Sequence, residues 1–279
     1  SAIRTGRESA AAATFVDSIS VQGNIPTGLA FNTDGTKMFV TNVTNDDIDE
    51  YTLSTGFDVS TASYDSNFSV ASQDGGPQGI AFNTDGTKMF IGGKDNGKVF
   101  EYTLSTGFDV STASFVDGFS ISSQETHISD LAFSTDGTKM FIVGTNSKSV
   151  FEYNLSTGFD VSTASYVDGY SVSSQETLPT GLEFSADGKR MFITGNNGDD
   201  VTEYKLTTAF DVSTASHVGQ FDVSSQETQA SSIAFNAEGT KMFVLGYNGD
   251  DVNEYNLTSA FRVANDTGSV GSELIGAYG

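Results

Sequence analysis

The sequence predicts a five-bladed β-propeller, and three observations lead there. First, five segments align in register without a gap: GLAFNTDGTKMFV from Gly28, GIAFNTDGTKMFI from Gly79, DLAFSTDGTKMFI from Asp130, GLEFSADGKRMFI from Gly181 and SIAFNAEGTKMFV from Ser232. Their starts are spaced 51 residues apart, the sign of a repeat architecture. Second, all five methionines (Met38, Met89, Met140, Met191 and Met242) occupy one position of the repeat. Third, each repeat alternates apolar and polar residues with period two between Gly, Asn and Asp punctuation, and no helical period of useful length appears.

Each repeat reads as four short strands. In the first, strand A covers Leu29–Phe31, and Asp34-Gly35 forms a tight turn because glycine tolerates the positive φ required there. Strand B is Lys37–Thr41 and strand C runs near Ile48–Leu53, carrying the pair Glu50-Tyr51. A loop over residues 54–63, STGFDVSTAS, leads to strand D at Tyr64–Ala71. The counterpart Phe115–Ile121 alternates, with Phe115, Phe119 and Ile121 on one face. Four strands at a fixed period describe a propeller blade.

The ends suggest how the ring closes. The fifth repeat reaches strand C at Asp251–Leu257 and then loses the Phe-Asp-Val-Ser-Thr-Ala-Ser pattern over Phe261–Thr267. A spare strand D, Phe15–Gln22, sits before the first repeat and keeps the pattern in Phe15, Ile19 and Val21. It is expected to pair with blade five and remove an exposed edge; the rival closing strand is Ser269–Ile275. The expected organisation is a tail or linker at 1–14, a propeller at 15–267 and a tail at 268–279.

Composition narrows the partners. The formal charge is −23, from 13 Lys plus Arg against 36 Asp plus Glu. Such a surface repels phosphate backbones, so no nucleic-acid partner is expected. No apolar run approaches the ~18 residues of a membrane span, so no membrane insertion is expected. There is no cysteine, which excludes disulfides and thiolate chemistry. The two histidines are not accompanied by a Gly-x-Ser-x-Gly elbow, and no phosphate-binding glycine loop opens a helix.

The block GLAFNTDGTKMFVTN (28–42) resembles the surface-layer type of propeller repeat, often called YVTN, with Met38-Phe39-Val40-Thr41-Asn42 in place of Tyr-Val-Thr-Asn. The match runs through all five repeats, over roughly residues 15–265. It departs where the family has Pro before Asp-Gly, since Thr33, Thr84, Thr135, Ala186 and Ala237 stand here, and where strand C ends Glu-Tyr-x-Leu. The resemblance implies a propeller and an extracellular, cell-surface or virion setting, as part of a larger surface or virion assembly. It implies no chemistry, because a fold does not fix a function.

Within the chain, sequence symmetry holds on one face and fails on the other. The A–B turns and C–D loops hardly vary, and Phe57, Phe108, Phe159 and Phe210 in the latter are expected to pack between neighbouring blades. The D–A loops (GNIPT, GGPQ, THIS, TLPT, TQAS) and B–C loops (NVTNDD, GKDNGK, GTNSKS, GNNGDD, GYNGDD) differ from blade to blade. Rigid scaffolds commonly carry function on variable loops, so this face is the expected binding face. Its candidate ligand-binding residues are Gln78, His127, Asp130, Asn197, Gln229, Tyr247 and Asn248.

Two polar constellations stand out there. Asp46-Asp47, Asp199-Asp200 and Asp250-Asp251 lie on blades one, four and five, neighbours once the ring closes. Calcium takes six to eight oxygen ligands, so these carboxylates are candidate calcium ligands, although no Asp-x-Asp-x-Asp-Gly loop is present. No other cofactor is expected. Asp130, Glu183 and His127 form the second group, unique among the repeats. Two carboxylates on adjacent inner strands could serve as acid and base of a glycoside hydrolase, the alternative reading, if they stand about 5–9 Å apart. The leading expectation is a non-enzymatic module that binds a glycan or a protein; a structural spacer is the third.

Overall fold

The computed structural model describes residues 12–264. Strand B of each repeat is a continuous apolar run, as a strand covered on both faces should be. Met38, Phe39 and Val40 are fully buried, as are their equivalents down to Met242, Phe243 and Val244. Strand D, at the rim, is mostly exposed.

The elements follow at the period of the repeat. A first strand, β1 (Ala13–Ser20), precedes blade one, which holds β2 (Pro26–Phe31), β3 (Lys37–Asn42), β4 (Asp47–Leu53) and β5 (Ala62–Ser69). Blade two holds β6 (Pro77–Phe82), β7 (Lys88–Gly93), β8 (Lys98–Leu104) and β9 (Ala113–Ser120). Blade three holds β10 (Ile128–Phe133), β11 (Lys139–Gly144), β12 (Ser149–Leu155) and β13 (Ala164–Ser171). Blade four holds β14 (Pro179–Phe184), β15 (Arg190–Gly195), β16 (Asp200–Leu206) and β17 (Ala215–Asp222). Blade five holds β18 (Ala230–Phe235), β19 (Lys241–Gly246) and β20 (Asp251–Leu257), with β1 as its fourth strand. The inner strands β2, β6, β10, β14 and β18 contact one another in a closed circle. This is the five-bladed propeller.

Closure is N-terminal: β1 pairs antiparallel with β20, from Ala13 opposite Leu257 to Ser20 opposite Asp251. The rival strand at 269–275 and the expected tails, apart from residues 12–14, lie outside the described residues. Strand β1 begins at Ala13, two residues before the expected Phe15. The C–D loops also contain a single 3₁₀ turn that the alternation did not predict, at Val59–Thr61 and its three counterparts.

The core lies between blades. Five apolar clusters each draw on two neighbouring blades, such as Phe39 and Ile48 of blade one with Ile80 and Ile91 of blade two. The loop phenylalanines behave as expected. Phe57 packs on Phe31 of its own blade at 5.5 Å and on Phe243 of blade five at 6.1 Å. Each adopts a left-handed backbone, φ 57° at Phe57 and Phe108, against a turn glycine such as Gly35 at φ 70°. A side chain on Gly35 would run into the Phe57 ring. Phe261 keeps this conformation at φ 52° although the loop motif around it is lost.

A polar clasp joins each blade to the next. Lys37 Nζ donates to Glu50 in blade one and, at 2.8 Å, to the Phe108 carbonyl of blade two. Glu50 Oε2 accepts from the Val110 N–H of blade two at 2.9 Å. Lys88–Glu101 and Lys139–Glu152 repeat the arrangement. Arg190–Glu203 holds the N–H groups of Val263 and Ala264. Lys241–Glu254 of blade five grips the Phe57 carbonyl and Val59 N–H of blade one, completing the circle. All five glutamates are buried, so the paired charge and full hydrogen bonding are what make their burial tolerable.

Candidate functional site

The inner strands converge on the axis and leave a hollow at each end. The hollow on the variable face is a funnel of about 310 Å³. Its floor carries Thr27, Gln78, Ser129, Thr180 and Ser231, the same repeat position in all five blades. Its wall includes Val43, Lys94, Thr145, Asn196 and Tyr247, again one repeat position occupied by five different side chains. Ile25, His127 and Leu178 complete the wall from the D–A loops, where Gly76 and Gln229 are the equivalents.

The loops are held firmly beneath this lining. Glu125 accepts the N–H groups of Thr126, His127 and Ser147, and so ties the D–A loop of blade three to its B–C loop. Asp74, Glu176 and Glu227 do the same in blades two, four and five. In each case the acid fills the space over a glycine at the end of strand B: Gly93, Gly144, Gly195 or Gly246. Blade one reverses the pair. Gly23 takes the place of the acid, and Asn42, in place of the glycine, fills the space above it. Asn42 accepts from Thr44 N–H and donates to the Gln22 carbonyl, so the loops stay joined.

In the funnel the floor hydroxyls of Thr27, Thr180 and Ser231 donate to the carbonyls of Pro77, Ala230 and Leu245, but other lining groups are uncommitted. Among the described residues the Gln78 amide, the Lys94 ammonium, the His127 imidazole and the Tyr247 hydroxyl make no hydrogen bond or ion pair, and Asn196 Oδ1 is buried without a partner. Buried and half-buried polar groups are normally satisfied, so a cluster that is not marks a place for a ligand or water. Burial, and secondarily Lys94, hold His127 below its ordinary pKa, so it enters the funnel as a neutral imidazole at pH 7.

Three sequence candidates therefore meet in the funnel: Gln78, His127 and Tyr247. Gln229 and Asn248 flank it on the D–A and B–C loops of blade five; the Gln229 carbonyl accepts from Tyr247 N–H at 2.8 Å. Asn197 is exposed and donates to Thr177 Oγ1 at 2.8 Å, a loop–loop tie. The wall residues Lys94, Asn196 and Thr145 were missed. Comparing single positions across the five repeats, rather than whole loops, would have found them.

Asp130 lies below the funnel and plugs the axis. Its Oδ1 accepts from Leu131 N–H at 2.9 Å, and its Oδ2 accepts from Leu182 N–H at 3.0 Å and Ser232 Oγ at 3.3 Å. Ser232 Oγ in turn accepts from Leu29 N–H, so one carboxylate knits blades three, four, five and one. Gly28, Gly79 and Gly181 occupy this constricted ring because a side chain on any of them would strike a neighbouring inner strand. Burial pushes the Asp130 carboxyl well above its ordinary pKa. Glu183 sits two residues further along its strand and lines the opposite hollow, which opens among the A–B turns. The proposed acid–base group is thus divided: His127 faces one hollow, Glu183 the other, and Asp130 is enclosed between them.

The acidic pairs serve turns and strands. Asp46, Asp199 and Asp250 adopt left-handed backbones with φ between 48° and 53°, which Asp tolerates better than most residues. Asp47 and Asp200 accept side-chain donors from strand D, Asn67 and Gln220, and Asp251 accepts from Asn253. Among the described residues no group of three or more His, Asp or Glu side chains is arranged to hold a metal ion.

No family model matches the chain, and no curated protein matches it in sequence. The surface-layer resemblance therefore rests on the repeat motif alone. Solved structures are similar in fold. The β-propeller domain of Cps50 (Swd1) from Myceliophteria thermophila is 10% identical, with TM-score 0.50 over 88% of this chain and 100% of that one. A protein from Lactobacillus plantarum is 15% identical, with TM-score 0.50 over 74% of this chain and 60% of that one. A "putative 6-phosphogluconolactonase" from Bacteroides uniformis is 14% identical at TM-score 0.48, over 71% of this chain and 55% of that one. This chain thus matches only about half the length of the Bacteroides protein. At these identities the likeness to the two structures at TM-score 0.50 speaks for the propeller fold and for nothing finer.

Proposed function

We propose that this propeller is a non-enzymatic recognition module, and that the axial funnel of its variable face takes the end of a glycan. The observation that carries the reading is the funnel lining. It breaks the fivefold sequence symmetry at each wall position and leaves four polar side chains without partners. An amide, a phenol, an imidazole and an ammonium beside the apolar Ile25, Val43 and Leu178 suit the mixed faces of a sugar ring. Pockets that orient small ligands combine a few convergent polar groups with an apolar wall in this way. The enclosure of Asp130 and the separation of Glu183 from His127 argue against the hydrolase alternative. With the surface-layer resemblance, the reading suits an extracellular, cell-surface or virion assembly.

A glycan array probed with the purified chain tests it. Reproducible binding is expected, and Tyr247→Ala or Gln78→Ala should weaken it by about tenfold or more, as the loss of one oriented contact does. A blank array would overturn the glycan reading in favour of a protein ligand or a spacer. Binding that survives both substitutions would place the site outside the funnel.

A further inference from the structure

The second axial hollow, on the invariant face, has a chemistry of its own. It is a cup of about 320 Å³ among the A–B turns. Four blades present alanine to it at one repeat position (Ala30, Ala81, Ala132 and Ala234), and blade four presents Glu183. The strand-A phenylalanines Phe31, Phe82, Phe133 and Phe235 add aromatic wall. Glu183 Oε1 accepts from Phe184 N–H at 2.8 Å, its only hydrogen bond among the described residues. The carboxylate does no structural work that four alanines fail to do, yet it stands half-buried among alanine and phenylalanine, with Asn32, Thr33, Asn83, Thr84, Ser134 and Thr135 lining the cup nearer its mouth. Burying a carboxylate without a partner is costly.

The rim reinforces the same sign of charge. Asp34, Asp85, Asp136, Asp187 and Glu238 occupy the five A–B turns that surround the mouth, and all five are exposed. The cations on these hairpins are Lys37, Lys88, Lys139, Arg190 and Lys241, each already paired with its strand-C glutamate, and the exposed Lys189. A mouth ringed by carboxylates with low-dielectric walls concentrates cations.

We infer that this cup binds a quaternary ammonium group, with Glu183 as its counter-ion and the phenylalanine rings as its wall. A trimethylammonium has apolar methyls for the alanines, a diffuse charge for the rings and the carboxylate, and no N–H. A primary ammonium would bring three donors to a depth that offers one free carboxylate oxygen, since Asn32, Asn83 and Ser134 nearer the mouth are already bonded within their own turns. The inference is independent of the funnel, which lies on the other side of the Asp130 plug.

Titration of the purified chain with choline chloride at pH 8, where Glu183 is ionised because burial raises it only to about 7, followed by calorimetry and by methyl NMR shifts, tests the assignment. Saturable binding is expected, weakened by about tenfold or more in Glu183→Gln and Glu183→Ala. The alanine variant copies the other four blades, so it should fold unchanged and separate loss of binding from loss of structure. The neutral isostere 3,3-dimethylbutan-1-ol should bind the native chain no better than choline binds Glu183→Ala. Displacement of choline by phosphocholine or by a trimethyl-lysine peptide distinguishes a headgroup from a methylated protein as the source. Absence of saturable choline binding, equal binding by Glu183→Ala, or equal binding of the neutral isostere would each overturn the inference.

Discussion

At the scale of single residues, the near-identity of the repeats works as an internal control, because each departure can be read against four unchanged copies. The exchange of Gly23 and Asn42 for the acid–glycine pairs of the other blades is the clearest case. In blade three, Glu125→Gly strands three N–H groups, and Gly144→Asn drives a side chain into Glu125. Each alone should destabilise by roughly 1–3 kcal/mol. Together they copy blade one, and denaturant unfolding of the double variant should show a favourable coupling of about 1–3 kcal/mol. Strict additivity would mean that the exchange in blade one is coincidental.

At the scale of elements, β1 carries the closure. Removing residues 1–22 would leave the outer edge of β20 unpaired, a template for association. The shortened chain should self-associate on size-exclusion chromatography, and a peptide spanning residues 12–22 should restore the monomer. A shortened chain as well-behaved as the full one would assign closure elsewhere. The strand pattern and the spare β1 were legible in the sequence because period-two alternation and repeat phase are local properties. The clasp was not: Lys37 and Glu50 recur in near-identical form, and repetition within one chain does not tell a partner in the same blade from one in the next. The enclosure of Asp130 was illegible for a related reason. It depends on how closely five inner strands approach the axis, and no single strand encodes that distance.

At the scale of the whole molecule, the buried carboxylates set the response to pH. Burial raises Asp49 from 3.8 to about 7 and Asp200 to about 6, and it raises Glu183 to about 7. A carboxyl whose folded pKa is raised binds its proton more tightly in the native state, so its contribution is fully present below the unfolded value and is lost as pH climbs through the folded one. Hydroxyl hydrogen bonds from Thr36, Thr87, Ser134 and Ser185 act oppositely on Asp34, Asp85, Asp136 and Asp187, whose contributions fade on acidification below their unfolded values. The melting temperature should therefore be higher at pH 5 than at pH 8. Asp49→Asn, which copies Asn253 of blade five, should flatten that slope. Self-repulsion at a net charge of −23 acts in the same direction, and a slope unchanged in Asp49→Asn would assign the effect to it alone.

The sharing of one sheet by β1 and β20 also decides how the molecule bears tension. Ala13 lies opposite Leu257, and Thr258 N–H donates to the Ala12 carbonyl at 2.9 Å, so the two ends of the described chain leave the ring side by side. A pull first loads the grip of Glu203 on the Val263 and Ala264 N–H groups; once that is freed, β1 and β20 would part as a zipper does, one ladder bond loaded at a time, rather than in shear with all bonds resisting together. Tension is thus met by one grip on blade four and one seam in blade five, while the other four sheets lie outside the line of pull.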